Sequence, residues 1–376
     1  MGREVLIVGG GIGGLTAAVA LRQAGCDVQV LERTATLSTV GAGILLQANA
    51  MSGLERTGIA EDVTATGVQV LSGRISSRSG RVLAKLDFSQ VAGSVIGIHR
   101  ASLHRILLDH AGPENVRLGA AVTGYRRLGD RVAVRLESAE EVEGDVLVGA
   151  DGIRSTIRRQ HLGDGPPRYS GYTCWRGWTP EGEQFRRGQV FEIWGAGQRF
   201  GGVHVDGGLY WFAPVNAPAN GRDAPGGSKA ALLELYADWP ERVRLTIEST
   251  PGSAIIRNDI LDRPFRRDWG RGRVTLLGDA AHPMTPDAGQ GAGQAIEDAV
   301  VLGRCMTESD DPSPAFRRYE RERVGRTRRF VARSRMIGTM AQLENPAARW
   351  VRDRILRATP RSVVHREMSR TLRFPC

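Results

Sequence analysis

Three short apolar runs, each followed by a glycine-rich turn and then by helical spacing, organise the hydrophobic pattern of this chain. The first is Val5 to Val8. A cluster of glycines follows, helical spacing runs on to Ala24, and Gly25 is the expected stop before a second apolar strand, Val28 to Leu31, that closes on Glu32. The next run, Val146 to Val148, leads into Gly149-Ala150-Asp151-Gly152-Ile153-Arg154-Ser155, and residues 156–160 turn helical. In the third, Val274, Leu276 and Leu277 predict a buried strand ending at Gly278-Asp279. A turn rich in proline and glycine comes next. From about Gln290 the residues Ala292, Ala295, Ile296, Ala299 and Val300 recur at helical spacing.

Between these runs the period changes. Residues 101–111 predict a helix, and residues 116–142 a meander of short alternating strands. Gly163-Asp164-Gly165-Pro166-Pro167 is the clearest linker, and a domain boundary is placed there. From there to about Arg267 strand-like runs alternate with turns, predicting an antiparallel sheet with a glycine- and proline-rich loop over 217–227. Residues 199–205 and 209–215 predict a hairpin around Asp206-Gly207-Gly208. Within it Tyr210 and Phe212 share one face, and Trp211 and Ala213 the other. A loop of two residues or of three assigns different partners to each face, because a slip of one residue inverts every side chain.

The first turn carries chemistry. Gly9, Gly11 and Gly14 supply G-x-G-x-x-G: a tight turn, close approach to a pyrophosphate, and close helix–strand packing. Glu32 stands where an acid holds a ribose hydroxyl. With 48 glycines in 376 residues the spacing alone is weak, but strand, helix, second strand and acid in register make a nucleotide site. A nicotinamide dehydrogenase would satisfy this much. The late turn is a second seat, since a glycine-rich loop opening a helix offers unpaired N–H groups and a positive dipole end to negative charge.

Taken in order, GGGIGG at 9–14, GADGIRSTIRR at 149–159 and GDAAHPMTPDAGQG at 278–291 resemble the motifs of the single-component FAD-dependent aromatic hydroxylases, the p-hydroxybenzoate-hydroxylase-like flavoprotein monooxygenases. The resemblance covers nearly the whole chain. It implies an α/β fold with a discontinuous Rossmann-like FAD-binding domain (1–70, 97–165 and 268–330). Into it would be inserted a mainly antiparallel β-sheet substrate domain (71–96 and 166–267), with C-terminal helices over 331–376. FAD is the implied cofactor, its ADP half held by Gly9, Gly11, Ile12, Gly13, Gly14 and Glu32, with Arg33 beside the adenosine. Arg100 would approach the flavin. Asp151 would lie near both the pyrophosphate and an incoming NADH or NADPH, and Asp279 would accept hydrogen bonds from the ribityl chain. Pro286 and the Gly289-Gln290-Gly291 loop would line the isoalloxazine, with the helix start stabilising anionic reduced flavin.

The implied activity is hydroxylation of a small aromatic or heteroaromatic substrate by NAD(P)H and O₂ through a flavin hydroperoxide. Epoxidation of an alkene or polyene stays open, because carotenoid-epoxidase-like relatives share a GYTC-type segment, here Gly171 to Cys174. So does a flavin-binding protein without catalysis. Candidates for the catalytic pocket are Pro286, Asp287, Arg199 and Tyr210. Arg199 would anchor an acidic or enolic substrate by a forked hydrogen bond, or else be a surface arginine. His204 would assist deprotonation, or be a half-buried sheet residue. Tyr172, Cys174 and Trp175 would pack the pocket or the sheet. Three departures from the family pattern stand out. Gly293 replaces an asparagine, loosening the flavin-side helix turn; Ala48-Asn49-Ala50 replaces Pro-Asn-Ala in the contact loop 41–49; and Asp287 replaces glycine or asparagine. Asp287 is found in urate-hydroxylase-like members, so it either faces substrate or complements a helix dipole.

Composition changes this little. The content of 41% hydrophobic residues suits a soluble globular enzyme, and no apolar run is long enough to span a bilayer. The first strand begins almost at once, leaving no room for a signal peptide. Cys26, Cys174, Cys305 and Cys376 show no paired spacing and the seven histidines no metal pattern, so neither disulfide nor zinc is expected and the expected compartment is the cytoplasm. Charge changes the picture more. Residues 312–376 hold 17 arginines and five acids, a surplus of 12 against a net +10 for the whole chain. There Phe316, Tyr319, Phe330, Ile337 and Met340 form a rough helical stripe between arginines. The basic side is either a solvated face or a seat for an anionic partner, a membrane surface or another subunit, and a homo-oligomer stays open. No nucleic-acid fold pattern accompanies the charge, so nucleic acid is not an expected partner.

Overall fold

Four adjacent parallel strands end at the same edge of one sheet, and each feeds one of the motif turns. In the computed structural model, which describes residues 2–36, 42–180, 182–223 and 226–374, this sheet has the order Val274–Leu276, Val146–Gly149, Glu4–Val8, Asp27–Leu31, Val116–Arg117. All four pairings are parallel. Val8 lies opposite both Leu31 and Gly149, and Gly149 lies opposite Leu276. Gly9, Glu32, Asp151 and Asp279 therefore leave the sheet side by side, although up to 270 positions separate them. Ligands of open α/β sheets bind at this carboxyl edge. The central strands are mainly apolar because both sheet faces are covered, so Val5, Leu6, Ile7, Val146, Leu147, Val148, Val274 and Leu276 are all buried, while Asp27 and Gln29 of the fourth strand are exposed. Helices Ile12–Gln23 and Gly291–Thr307 pack on each other. At Gly303 a Cβ would lie 2.9 Å from the Ala20 carbonyl oxygen. The expected helix near 101–111 is Arg100–Ala111, and the meander is Val122–Leu128, Arg131–Leu136 and Glu141–Gly144.

A second sheet has seven strands, in the order Ile256–Asp262, Arg168–Thr179, Gly208–Asn216, Arg199–Val205, Gln189–Trp194, Ser72–Ser77, Val82–Asp87. It is antiparallel except where Gln189–Trp194 runs parallel to Ser72–Ser77. Two helices, Gly227–Leu235 and Glu241–Ser249, interrupt a stretch expected to be strands and turns alone. Ala224 and Pro225 of the 217–227 loop lie outside the described residues, as do Gly41 and Cys376.

The hairpin loop has two residues. Val205 pairs with Gly208, leaving Asp206 and Gly207, and Gly207 takes φ +78°, where a side chain would be strained. This register sets the faces of the sheet. Phe191, Ile193, Phe200, Leu209, Trp211 and Ala213 pack against Leu232, Tyr236, Trp239, Val243 and Ile247 of the two helices. The other face carries Arg199, Tyr210 and Phe212, with Tyr172, Cys174 and Arg176 of the neighbouring strand. It turns toward the first sheet's ligand edge.

The long C-terminal stripe forms a single helix, Pro312–Ala341, started by Asp311 accepting from Ser313 N at 2.9 Å. It runs unbroken through 330/331, so the expected start of a separate segment at 331 is corrected: no backbone break falls there. Phe316, Tyr319 and Phe330 are buried, and Ile337 and Met340 half-buried. Helices Pro346–Ala358 and Arg361–Leu372 follow. Among the described residues, no helix is long and apolar enough to cross a membrane.

Candidate active site

The three motifs interlock. Gly9 takes φ +108°, and a Cβ there would lie 2.4 Å from the Ala150 carbonyl oxygen. A Cβ on Gly14 would lie 1.9 Å from the Gly9 oxygen, so both positions exclude a side chain. Gly13 abuts Leu277 and Ala295, tying the first motif to the third. Gly11 faces open space as N-cap of the helix that begins at Ile12, and that helix has no side-chain cap. Glu32 spends both oxygens on the loop: Oε2 accepts from Gly10 N at 2.7 Å and Oε1 from Thr34 N at 2.9 Å. It thus shapes the turn at the position where the sequence pattern expects a ribose-holding acid. Arg33 is exposed beside it. His104, which the sequence pattern did not single out, braces the loop from behind, its Nε2 lying 2.6 Å from the Gly10 oxygen.

Asp151 and Asp279 test whether the edge fits FAD. Asp151 Oδ2 accepts from Thr156 N at 2.7 Å, while Oδ1 is buried without a partner. Burial raises the carboxyl's pKa above its ordinary value, against hydrogen bonds that pull it down. Asp279 remains accessible, yet burial in the surrounding protein raises its pKa too, opposed by His282 and Arg100. Beside it begins the helix Gly291–Thr307, whose N-terminus has no side-chain cap, with Gly289 at φ +61° turning the chain in. Two uncapped helix ends, an open glycine, the partnerless Oδ1 of Asp151 and the accessible carboxylate of Asp279 fit a dinucleotide with phosphates at one end and hydroxyls at its middle.

A raised acid pKa means that the folded state binds the proton more tightly than the unfolded state. Ionised Asp279 therefore costs stability from the ordinary carboxylate pKa upward. We expect Asp279→Asn to raise the Tm of the FAD-free protein at neutral pH, with the gain vanishing below pH ~4, and to weaken FAD binding. Melting curves against pH and a fluorescence titration with FAD check both.

Gln290 departs from expectation. Its side chain turns into the protein, where Nε2 donates to Gln47 Oε1 at 2.9 Å and Asn49 Oδ1 at 3.1 Å, so only its backbone remains at the helix start. Asn49 Nδ2 in turn donates to Gln290 Oε1 at 2.9 Å and Glu297 Oε1 at 2.7 Å. Gly293 does not loosen this turn. A Cβ there would stand 3.2 Å from both Asn49 Nδ2 and Gln290 Oε1, so its absence makes room for the pair. The network continues to Arg323, which donates to Glu297 at 2.5 Å and Asp298 at 2.6 Å. Asp298 also receives His282 at 2.5 Å and Gly278 N at 3.0 Å. Burial works against ionisation of both acids, yet Arg323 with Arg326 on Glu297, and His282 with Arg323 on Asp298, hold them below the usual carboxylate range.

Opposite the flavin edge lies the polar face of the second sheet. Arg199 is no surface residue: it is 2% exposed. Its Nη2 donates to Asp287 Oδ1 at 2.5 Å and its Nε to Gln342 Oε1 at 2.9 Å, while Nη1 lies 3.5 Å from Glu192. The Tyr172 hydroxyl donates to Asp287 Oδ2 at 2.6 Å. Burial alone would favour neutral arginine, but Glu192, Asp287 and Tyr172 hold Arg199 protonated. Burial and Asp287 push the Tyr172 phenol far up, and burial pushes Tyr210 up to about 12, with Arg176 opposing. Arg100, exposed, lies close enough to act on both Asp279 and Tyr210, so it stands between the cofactor edge and the sheet face. Pro286 is exposed at the turn just before Asp287. His204 points the other way, into the sheet's packed side, with Nε2 3.1 Å from the Gly182 oxygen; it is a sheet residue. Trp175 also packs there, whereas Tyr172 and Cys174 stay on the Arg199 face.

This geometry, two glycine-rich turns at the carboxyl edge of a parallel sheet beside the polar face of a second sheet, agrees with known proteins. A family model described as an FAD binding domain matches residues 3–168 and 244–334. The aurachin C monooxygenase/isomerase of Stigmatella aurantiaca is 45% identical over 99% of this chain and 98% of that protein. The chain belongs to the FAD-dependent monooxygenases. This monooxygenase is also 38% identical to a chloroplastic zeaxanthin epoxidase of Solanum lycopersicum, over 90% of the chain but only 54% of that relative. Its structure matches that of Klebsiella pneumoniae HpxO complexed with FAD and uric acid with a TM-score of 0.93, at 30% identity and covering 98% and 96% of the two chains. FAD, when bound, supplies the redox and oxygen-transfer chemistry, and NADH or NADPH the electrons.

Proposed function

We propose that this monooxygenase adds one atom of O₂ to a small aromatic or heteroaromatic ring whose polar edge is held by Arg199, Asp287 and Tyr172. The observation that carries the proposal is this buried cluster, one residue beyond Pro286 and on the sheet face turned toward the flavin edge. A carboxylate has about four lone-pair positions, and Arg199 and Tyr172 occupy two. The Asp287 side chain is 0% exposed, so once the turn at Pro286 admits the ring it can accept a further bond from a ring O–H or N–H and draw that proton away, which makes the ring richer in electrons and readier for an electrophilic oxygen. Arg199, locked as a cation, stabilises the negative charge left on the ring. Tyr172 stays protonated and fixes the carboxylate's orientation. Tyr210 and Phe212, rings 6.0 Å apart and tilted by 39° to each other, offer aromatic surface on the same side. The HpxO complex with uric acid, a polar fused ring, supports this class of substrate.

A second possibility, epoxidation of an alkene, is favoured by the zeaxanthin epoxidase similarity and by the segment Gly171 to Cys174. We propose further that the FAD-binding domain comprises 1–70, 97–165 and 268 to the end of the long helix at Ala341, that the substrate domain comprises 71–96 and 166–267, and that the C-terminal arm begins after that helix. Cys26, Cys174 and Cys305, all free and buried, support a reducing cytoplasm. The test is a panel of hydroxylated rings, N-heterocycles and polyenes. Rings with an acidic edge should accelerate NAD(P)H oxidation and gain one oxygen by mass. Acceleration by polyenes alone would transfer the assignment to epoxidation.

A further inference from the structure

Helix Pro346–Ala358 shows solvent a face that the fold leaves unused. Its inner side is settled. Arg352 is buried, donates to the Met340 oxygen at 3.1 Å and to Asp353 at 2.9 and 2.8 Å, and lies 5.1 Å over the Trp194 ring. Leu356 packs beside Leu83, Trp194 and Ala341. The outer side carries Trp350, Val351 and Ile355 at 60%, 48% and 61% exposure. Helical spacing sets them around Arg354 and Arg357, and the Arg354 guanidinium lies 4.8 Å over the Trp350 ring. The only acid of the helix, Asp353, is engaged inside by Arg352. On the next helix Val363, two residues after Arg361, is also 53% exposed. Around the inner side the same helix walls a cleft of about 500 Å³ lined by Arg78, Arg81 and Arg349. Large apolar side chains clustered in water mark an interaction site, and these sit in a predominantly cationic field in which Asp353 is the acid of the cleft.

We propose that this face docks on an anionic lipid bilayer. The helix lies in the plane of the interface: Trp350, Val351 and Ile355 enter the acyl boundary, while Arg354, Arg357 and Arg361 meet headgroup phosphates. Charge complementarity selects the occupant, since residues 312–376 carry 12 more arginines than acids. A second copy related by a two-fold axis would bring two sets of these arginines into one interface without added acids. At 13 residues the helix is too short to span a bilayer. Docking here would also place the membrane beside the segment that carries Gln342, the residue holding Arg199 Nε.

The experiment is co-sedimentation of the FAD-loaded full chain with phosphatidylcholine vesicles, with and without phosphatidylglycerol. Binding is expected only with phosphatidylglycerol and should weaken as salt rises. Each arginine contributes about fivefold, so Arg354→Gln/Arg357→Gln should lose about thirtyfold in affinity. Trp350→Ser/Ile355→Ser should lose at least as much, while both variants keep FAD content and melting temperature. A blue shift of tryptophan fluorescence on adding vesicles should vanish in Trp350→Phe. Absence of binding to anionic vesicles at low salt would overturn the proposal, as would binding unchanged in the double variants. So would a concentration-dependent dimer abolished by Trp350→Ser/Ile355→Ser, or capture of an acidic protein without lipid binding.

Discussion

Asp287→Ala should cost about 3–5 kcal/mol of stability and abolish substrate-stimulated NAD(P)H oxidation. The size follows from what is left behind. Without the carboxylate, the guanidinium of Arg199 keeps only Glu192 at 3.5 Å and neutral Gln342, in a site 2% exposed, and the Tyr172 hydroxyl loses its acceptor. Because so large a loss mixes folding with chemistry, Asp287→Asn is the informative companion. It keeps the shape and one acceptor oxygen, so FAD content should hold, while kcat/KM should fall by about 10²–10⁴ if the carboxylate accepts the substrate proton. Steady-state kinetics beside thermal melts separate the two effects. An Asp287→Asn enzyme working at the parent rate would make Asp287 a structural partner of Arg199 only.

Arg323→Met should be nearly as damaging, through the cofactor rather than the substrate. It strips one cation from Glu297 and one from Asp298, both fully buried, at a cost of about 3–5 kcal/mol. Asp298 also holds Gly278 N, one residue before Asp279, so FAD should dissociate more readily. The pH dependence has a definite sign. Both acids have pKa values lowered by folding, so their stabilisation is complete above the ordinary carboxylate range and is lost as pH falls through the lowered values. The variant should therefore lose stability most at neutral pH and show a flatter acid limb. Adding Asp298→Asn should restore part of the loss by removing a buried charge left with His282 alone, whereas Glu297 keeps Arg326. Tm against pH and the fluorescence of released FAD measure both effects.

The backbone of the cofactor site was legible because three strand–turn–helix runs carry strong local patterns. Their meeting was legible only through the family resemblance, since nothing local says which strands lie side by side. Arg199 and Asp287 were named from their types, but their partnership was not, because it spans 88 positions and depends on the hairpin register. A two-residue loop against a three-residue one could not be decided from Asp206-Gly207-Gly208, and that choice moves His204 off the site and Tyr172 onto it. Arg323 was passed over as part of a solvated basic face. A signal existed: it falls on the same helical stripe as Phe316, Tyr319 and Phe330, where a charge must find a partner. The helices 227–249 were missed because their apolar spacing is short and sits among glycine and proline, where turn signals dominate.

The most direct test of the site as an oxygenase centre is isotopic. The FAD-loaded enzyme would be turned over with NAD(P)H and its best ring substrate under ¹⁸O₂ in unlabelled water, and the product weighed. The product should carry one ¹⁸O, with label yield falling in Asp287→Asn in step with the rate. Product oxygen drawn from water, or NAD(P)H oxidation that yields only hydrogen peroxide with every ring tested, would contradict it.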